Sequence, residues 1–368
     1  MSAEASQKNP RIFVTDCEGP ISKNDNAFEL TSKFVPDGDS FFALVSKYDD
    51  VLADVVKKPG YKAGDTLRLI LPFLKVFGAT DKKIRDFSAR DVLLVPSAKD
   101  TLTFVRKFMP SFIVSTSYEQ YISSLCSLTG FPFENTYCTR LNIDKYDIDE
   151  KETERLRELQ REIAALPMIE IPKNADSVSE FSQRDQETIQ RLDELFWQTI
   201  PRMESGRMLE EVNPVGGSEK AKAVQDIVEK LRCSLDRVMY VGDSITDVPP
   251  LRLVRESGGL AVSFNGNDYS VRESEIAVLS GDTTVTSVLA EAFSRQGKEG
   301  AFRLVEEWSP SGLKKYCGSP ELRARMSVLF PDGFPQVERV TDDNLERLKR
   351  ESSVFRKTVR GEAIGKLG

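Results

Sequence analysis

Short apolar runs separated by longer amphipathic stretches pattern this chain. The first run, Ile12-Phe13-Val14-Thr15, reads as a short buried strand, and Gly19-Pro20 stops it. Comparable runs lie at 111–114, 238–241, 259–264 and 276–279, with a further candidate at 135–141. Helical patterns fall between them. One opens near Ser97 or Lys99, one covers 218–231 with Ser218 as its predicted N-cap, and one covers 284–293. Alternation of this kind predicts a parallel sheet with helices on both faces.

Two segments interrupt the alternation. Residues 21–90 carry helical periodicity, punctuated by Gly60, Gly64 and Gly78, with no convincing strand, so a helical cap is expected directly after the first strand. Residues 151–166 place Leu156, Leu159, Ile163 and Leu166 at spacings of three and four, a narrow amphipathic stripe that Pro167 ends. A second helical stretch, 177–200, completes a hairpin within an insert spanning 150–210. That hairpin either packs on the core along one side or serves as a dimer contact or a second lid. Residues 297–368 read as a helical extension, with Asp342 and Asp343 early and bases between 349 and 360 late, as a helix dipole favours. The predicted domains are an α/β core (1–20 and 91–296), a cap (21–90) and this extension. A homo-oligomer would form through the hairpin or the C-terminal helices.

Composition narrows the function. A net charge of −7 argues against nucleic-acid and anionic-membrane partners. Met1 to Pro10 is polar, and no apolar stretch approaches ~20 residues, so neither a secretory leader nor a membrane span is expected and the location is read as cytoplasmic. The five cysteines form no CxxC pair and read as free thiols. Cys17 is flanked by two acids, which disfavour a thiolate, and Lys23 breaks the Cys-x5-Arg spacing of a thiol phosphatase loop. The chain contains no histidine. Acid–base work must then come from carboxylates, Lys, Tyr or water, and a bound metal is best held by oxygen, which favours Mg²⁺.

The acids stand at strand ends. Asp16 and Glu18 follow the first run, Ser115 and Thr116 the second, Asp243 and Asp247 the run at 238–241, and Lys220 lies early in a helix. Ligands of open α/β sheets bind beyond the carboxyl ends of the strands. If these strands are neighbours, four carboxylates share one cleft, and like charges that close require a cation. Phosphoryl transfer calls for such a set: a carboxylate nucleophile, a second carboxylate as acid and base, and cations and hydroxyls on the equatorial oxygens. Lys222 is the rival to Lys220, but two positions along a helix it faces elsewhere.

Taken in order, these motifs resemble the haloacid dehalogenase superfamily, and among its branches the phosphoserine-phosphatase-like group. Phe13-Val14-Thr15-Asp16-Cys17-Glu18 is similar to the first motif, Ile113-Val114-Ser115 to the second, Lys220 to the third, and Gly242-Asp243 with Asp247 to the fourth. Tyr118 to Ile122 and the strand and loop at 259–267 are similar to that branch as well. The resemblance implies a Rossmann-like parallel-sheet α/β core with an inserted helical cap. It implies Asp16 as nucleophile and Mg²⁺ ligand, and Glu18 as general acid/base with its backbone carbonyl on the metal. It implies Asp243 as a further ligand, and Asp247 in the metal shell or on Lys220. Ser115, Thr116 and Lys220 would hold the phosphoryl group. Two departures stand out: Glu18 replaces the usual second Asp, and Pro20 replaces a capping Thr or Ser. The expected activity is Mg²⁺-dependent hydrolysis of a small phosphorylated metabolite through an aspartyl-phosphate. Alternatives are transfer to an alcohol and a non-catalytic subunit of a larger complex. Tyr61 and Arg68 are the cap residues considered for reading the leaving group, against the plainer reading that they are ordinary cap-surface residues.

Overall fold

The structure, a computed structural model, describes residues 10–173 and 175–367. The polar N-terminal stretch read above lies, at residues 1–9, outside the described residues. Seven strands form one sheet: β1 (Ile12–Thr15), β2 (Ser111–Tyr118), β3 (Thr136–Thr139), β4 (Val238–Gly242), β5 (Leu260–Phe264), β6 (Ile276–Leu279) and β7 (Gln336–Arg339). Their order is β3-β2-β1-β4-β5-β6-β7. All pairs are parallel except β6–β7.

β1 is central, and its alternation explains why. Ile12 and Val14 join Val224 and Ile227 of helix Ser218–Leu231 in one apolar layer. Phe13 faces the other layer, with Val285, Val288 and Leu289 of helix Thr284–Glu306. A strand buried on both faces reads as a continuous apolar run, as Ile-Phe-Val does. Thr15 sits level with Ile113 on β2 and Val241 on β4, so the chain leaves these three strands at one rim.

Four details differ from expectation. β2 continues through Ser115 to Tyr118, where the hydroxyls suggested a stop. The N-cap of helix Ser218–Leu231 is Gly217, at φ 48° and ψ −118°, and Ser218 is already helical. That backbone geometry suits glycine, which explains Gly-Gly before the helix. The extension is not wholly helical, since Gln336–Arg339 adds an antiparallel edge strand. Only Val337 of that strand is buried, too weak a period-two signal to stand out in a polar tail.

The fourth concerns the insert. Helices Glu150–Ala165 and Gln183–Glu194 do not rest on the sheet layers. Leu156, Leu159, Ile163, Ile189 and Leu192 share one apolar cluster with Phe41, Val45, Phe73 and Leu74 of the cap. The stripe that suggested a partner is thus covered from within the chain. Trp197 extends the contact, edge-on to Tyr61 and within cation–π distance of Arg68 and Lys58. Among the described residues, no helix is long and apolar enough to cross a membrane.

Candidate active site

Asp16 leaves β1 with its amide donating to Val241 O on β4 at 2.8 Å. One carboxylate oxygen accepts from Cys17 N at 2.6 Å, and the other meets Lys220 Nζ at 2.7 Å. Lys220 is fully buried, and its ammonium also reaches Asp247 Oδ1 at 2.8 Å. Asp247 is saturated with donors: Tyr240 Oη at 2.8 Å on the same oxygen as Lys220, and the amides of Asp243 (2.9 Å) and Ser244 (3.1 Å) on the other. It therefore holds Lys220 and the turn after β4 in place. Lys222 is exposed and pairs with Glu219, as the helical spacing required.

Carboxylate oxygens of Asp16, Asp243 and Asp247 lie within 4.8 Å of one another, and all three residues are buried. Burial, then the charge of Asp247, pushes Asp16 up to about 8, opposed by Lys220 and reinforced by Asp243. Burial acts on Asp247 in the same sense, but Lys220 and the surrounding donors outweigh it and hold Asp247 low. Burial works against the Lys220 charge, yet its two aspartates keep the ammonium above the ordinary lysine range. Three clustered carboxylates supply the oxygen donors that a hard divalent cation such as Mg²⁺ takes.

The turn at 16–22 depends on Gly19, at φ 101°. A Cβ there would lie 2.1 Å from Asp243 Oδ2, so only glycine lets the turn pass the carboxylate. Pro20 does not loosen it: Gly19 N donates to Ser22 O at 2.7 Å and Ser22 N to Cys17 O at 2.9 Å. Glu18 accepts from Asn26 N at 2.7 Å, at the mouth of the cap linker. Burial, then Asp25, holds its carboxyl well above the usual range, with Asn26 N–H and Arg360 pulling the other way. Its side chain stands outside the aspartate trio.

A cleft of about 100 Å³ opens above this set, and Asp16, Glu18, Thr116, Ser117, Asp243 and Thr246 help to wall it. Thr116 and Ser117 form its β2 side. Ser115 does not itself line that wall but braces it: its Oγ donates to Ser117 Oγ at 3.1 Å and accepts from Ser117 N at 3.2 Å. Thr116 Oγ1 is buried without a hydrogen-bond partner among the described residues. Buried hydroxyls are normally paired, so this orphan marks a place for an acceptor from outside the chain.

The cap closes directly on the rim. A Cβ at Gly64 would lie 2.8 Å from Thr116 Cγ2, and one at Gly216 would lie 2.2 Å from Ala63 O. Asp49 fastens this loop by accepting from Gly64 N (2.8 Å), Thr66 N (3.1 Å) and Tyr61 Oη (2.5 Å). Tyr61 braces Asp49, Arg68 binds Asp65 and Leu209 O, and neither lines the cleft.

Sequence reasoning missed one contribution. The C-terminal helix Leu345–Arg360 sends Arg356 and Arg360 into the cleft wall. Both pair with Asp243 Oδ2, Arg360 at 3.1 Å. Arg360 also donates to Lys23 O (3.1 Å) and to Asn24 O, in the cap linker. A signal was present: Leu348, Ser352, Arg356 and Arg360 recur every four residues, a stripe whose apolar start predicts burial of its basic end.

Comparison with known proteins places this architecture. Residues 96–263 match a family described as haloacid dehalogenase-like hydrolase. The sheet, with its inserted helical cap, has the Rossmann-like fold of that superfamily, and residues 96–263 are similar to this hydrolase family. The matched segment contains Ser115, Lys220, Asp243 and Asp247. Asp16 and Glu18 lie before it and reach the same rim because β1 pairs between β2 and β4. Among solved structures, the chain is similar to gene product AF1437 from Archaeoglobus fulgidus, with a TM-score of 0.79 and 27% identity over 98% of this chain and 99% of that one. No curated protein sequence matches the chain.

Proposed function

We propose that the protein is a Mg²⁺-dependent phosphatase that hydrolyses a small phosphomonoester through an aspartyl-phosphate on Asp16. The observation that carries this reading is Asp16 at the end of the central strand, 2.7 Å from Lys220 Nζ and grouped with Asp243 and Asp247. Mg²⁺, held by Asp16, Asp243 and the Glu18 carbonyl with Asp247 at their back, would offset charge on the nucleophile and the phosphoryl oxygens. Asp16 attacks phosphorus, and the bond to the leaving alcohol oxygen breaks as Glu18 gives that oxygen its proton. Lys220 stays on Asp16 and limits the charge that accumulates there. Thr116 and Ser117 donate to the phosphoryl oxygens. Glu18 then takes a proton from water, whose oxygen attacks phosphorus, and phosphate leaves with Asp16 restored. The docked cap excludes bulk water and admits only a small leaving group.

The test is a panel of phosphomonoesters assayed for released phosphate with and without Mg²⁺. Asp16→Asn should lose turnover by about 10³-fold or more while keeping its circular-dichroism spectrum. Retained activity in Asp16→Asn would end the mechanism. Adding alcohol acceptors and measuring transferred against free phosphate separates hydrolysis from transfer.

A further inference from the structure

We propose that Arg356 and Arg360 of the C-terminal helix bind the phosphoryl oxygens of the substrate, exchanging part of their hold on Asp243 for that anion. The inference rests on the phosphomonoester reading and adds to it the residues that attract the dianion.

The cleft is acidic where a phosphate must enter. Asp16, Glu18, Asp25, Asp49, Asp50 and Asp243 all contribute to its wall. Among the described residues, Arg356 and Arg360 are the only cationic side chains there. Lys220 lies beneath, outside the wall, with its ammonium already on Asp16 and Asp247. Even with a divalent cation on the aspartates, a dianion needs further positive charge at the surface it touches.

The arginines are built for that task and only partly used. A guanidinium carries five donors in a planar fork that suits phosphate. Both forks converge on one oxygen, Asp243 Oδ2, which cannot satisfy two of them. Arg356 is 3% exposed, and its Nε is buried with no hydrogen-bond partner among the described residues. A phosphoryl group offers three charged oxygens where Asp243 offers the two arginines one carboxylate oxygen, with its backbone carbonyl a further acceptor for Arg356 at 3.2 Å. Arg360 is anchored by the Lys23 and Asn24 carbonyls, so its fork is held near the turn that carries Glu18. A cation drawing on Asp243 would weaken that carboxylate's grip on both arginines, freeing donors as the anion arrives.

Isothermal titration of wild type, Arg356→Met and Arg360→Met tests this without turnover, first with Mg²⁺ alone and then with inorganic phosphate at saturating Mg²⁺. Each variant should bind phosphate about tenfold more weakly or worse, with Mg²⁺ affinity unchanged or increased. Arg356→Lys keeps the charge but not the fork and should recover only part of the phosphate affinity. Circular dichroism and melting curves establish that the variants fold. Unchanged phosphate affinity in both variants would overturn the proposal. So would weakened Mg²⁺ binding with phosphate binding intact, which would make the arginines holders of Asp243 alone. Arginine-dependent phosphate binding by a protein that hydrolyses no phosphomonoester would sink the phosphatase reading and leave this one standing.

Discussion

Lys220 and Arg356 are both buried cations paired with aspartates of one site, yet they come from different parts of the molecule. Lys220 opens a helix packed on the sheet, has no exposed surface, and is shared by Asp16 and Asp247 at 2.7 and 2.8 Å. Arg356 arrives from the C-terminal helix, lines the cleft, and keeps a donor without a partner. One cation is enclosed by the protein and fully used; the other faces the place where a ligand enters and is not. The first belongs to the permanent charge balance of the rim, and the second is available for exchange.

The sharpest way to break this comparison is to remove the enclosed cation. Lys220→Met leaves Asp16 and Asp247 buried without a counter-charge. Removing one partner of a buried pair costs about 3–5 kcal/mol, because the remaining charge cannot reach water. Urea denaturation should show a loss of that size, together with loss of turnover. Arg356→Met, at the cleft and with Arg360 still on Asp243, should lose much less stability. Equal losses in the two variants would show that the arginine is as structural as the lysine.

Gly19→Ala sharpens the comparison from the acid's side. The added methyl would lie 2.1 Å from Asp243 Oδ2, the oxygen both arginines hold, and Gly19 has φ 101°. The backbone strain alone costs about 1–3 kcal/mol. Displacing Asp243 should also lower turnover by about 10²-fold, because a shift near 1 Å misaligns the site. Stability and activity should therefore both fall, with phosphate binding less affected than in the arginine variants. A Gly19→Ala protein with wild-type turnover would show that the position of Asp243 is not critical.

The same contrast explains what the sequence revealed. The rim acids and hydroxyls were legible because each follows a short apolar run, and a run of Ile, Phe and Val flanked by an acid signals a strand end without knowledge of the partners. The cap was legible from its helical periodicity. The arginines were not, because a basic helix end is also what a solvated helix shows, and only the spacing from Leu348 through Ser352 pointed inward. The packing of the insert was hidden for a related reason. An amphipathic stripe states that one face is covered, not by what, and here Leu156 and Ile163 are covered by the cap. Ser115 shows the limit at finer scale. The residue type placed a hydroxyl at the right strand end, but chain direction along an extended β2 gives the cleft to Thr116 and Ser117.

The smallest expected effect lies in the cap, where the sequence offered Tyr61 as a reader of the leaving group. Its hydroxyl instead donates to Asp49 Oδ1 at 2.5 Å, and its ring meets Trp197 edge-on at 5.8 Å. Tyr61→Phe keeps the ring contact and deletes one donor to a carboxylate that retains Gly64 N and Thr66 N. A loss of about 1 kcal/mol in stability is expected, the ordinary contribution of one hydrogen bond. KM for any phosphomonoester the wild type accepts should not change, because the hydroxyl does not reach the cleft. If instead KM rose severalfold with stability intact, Tyr61 would touch substrate after all. The cap, like the C-terminal helix, would then contribute donors that the bound anion engages rather than donors fixed in the fold.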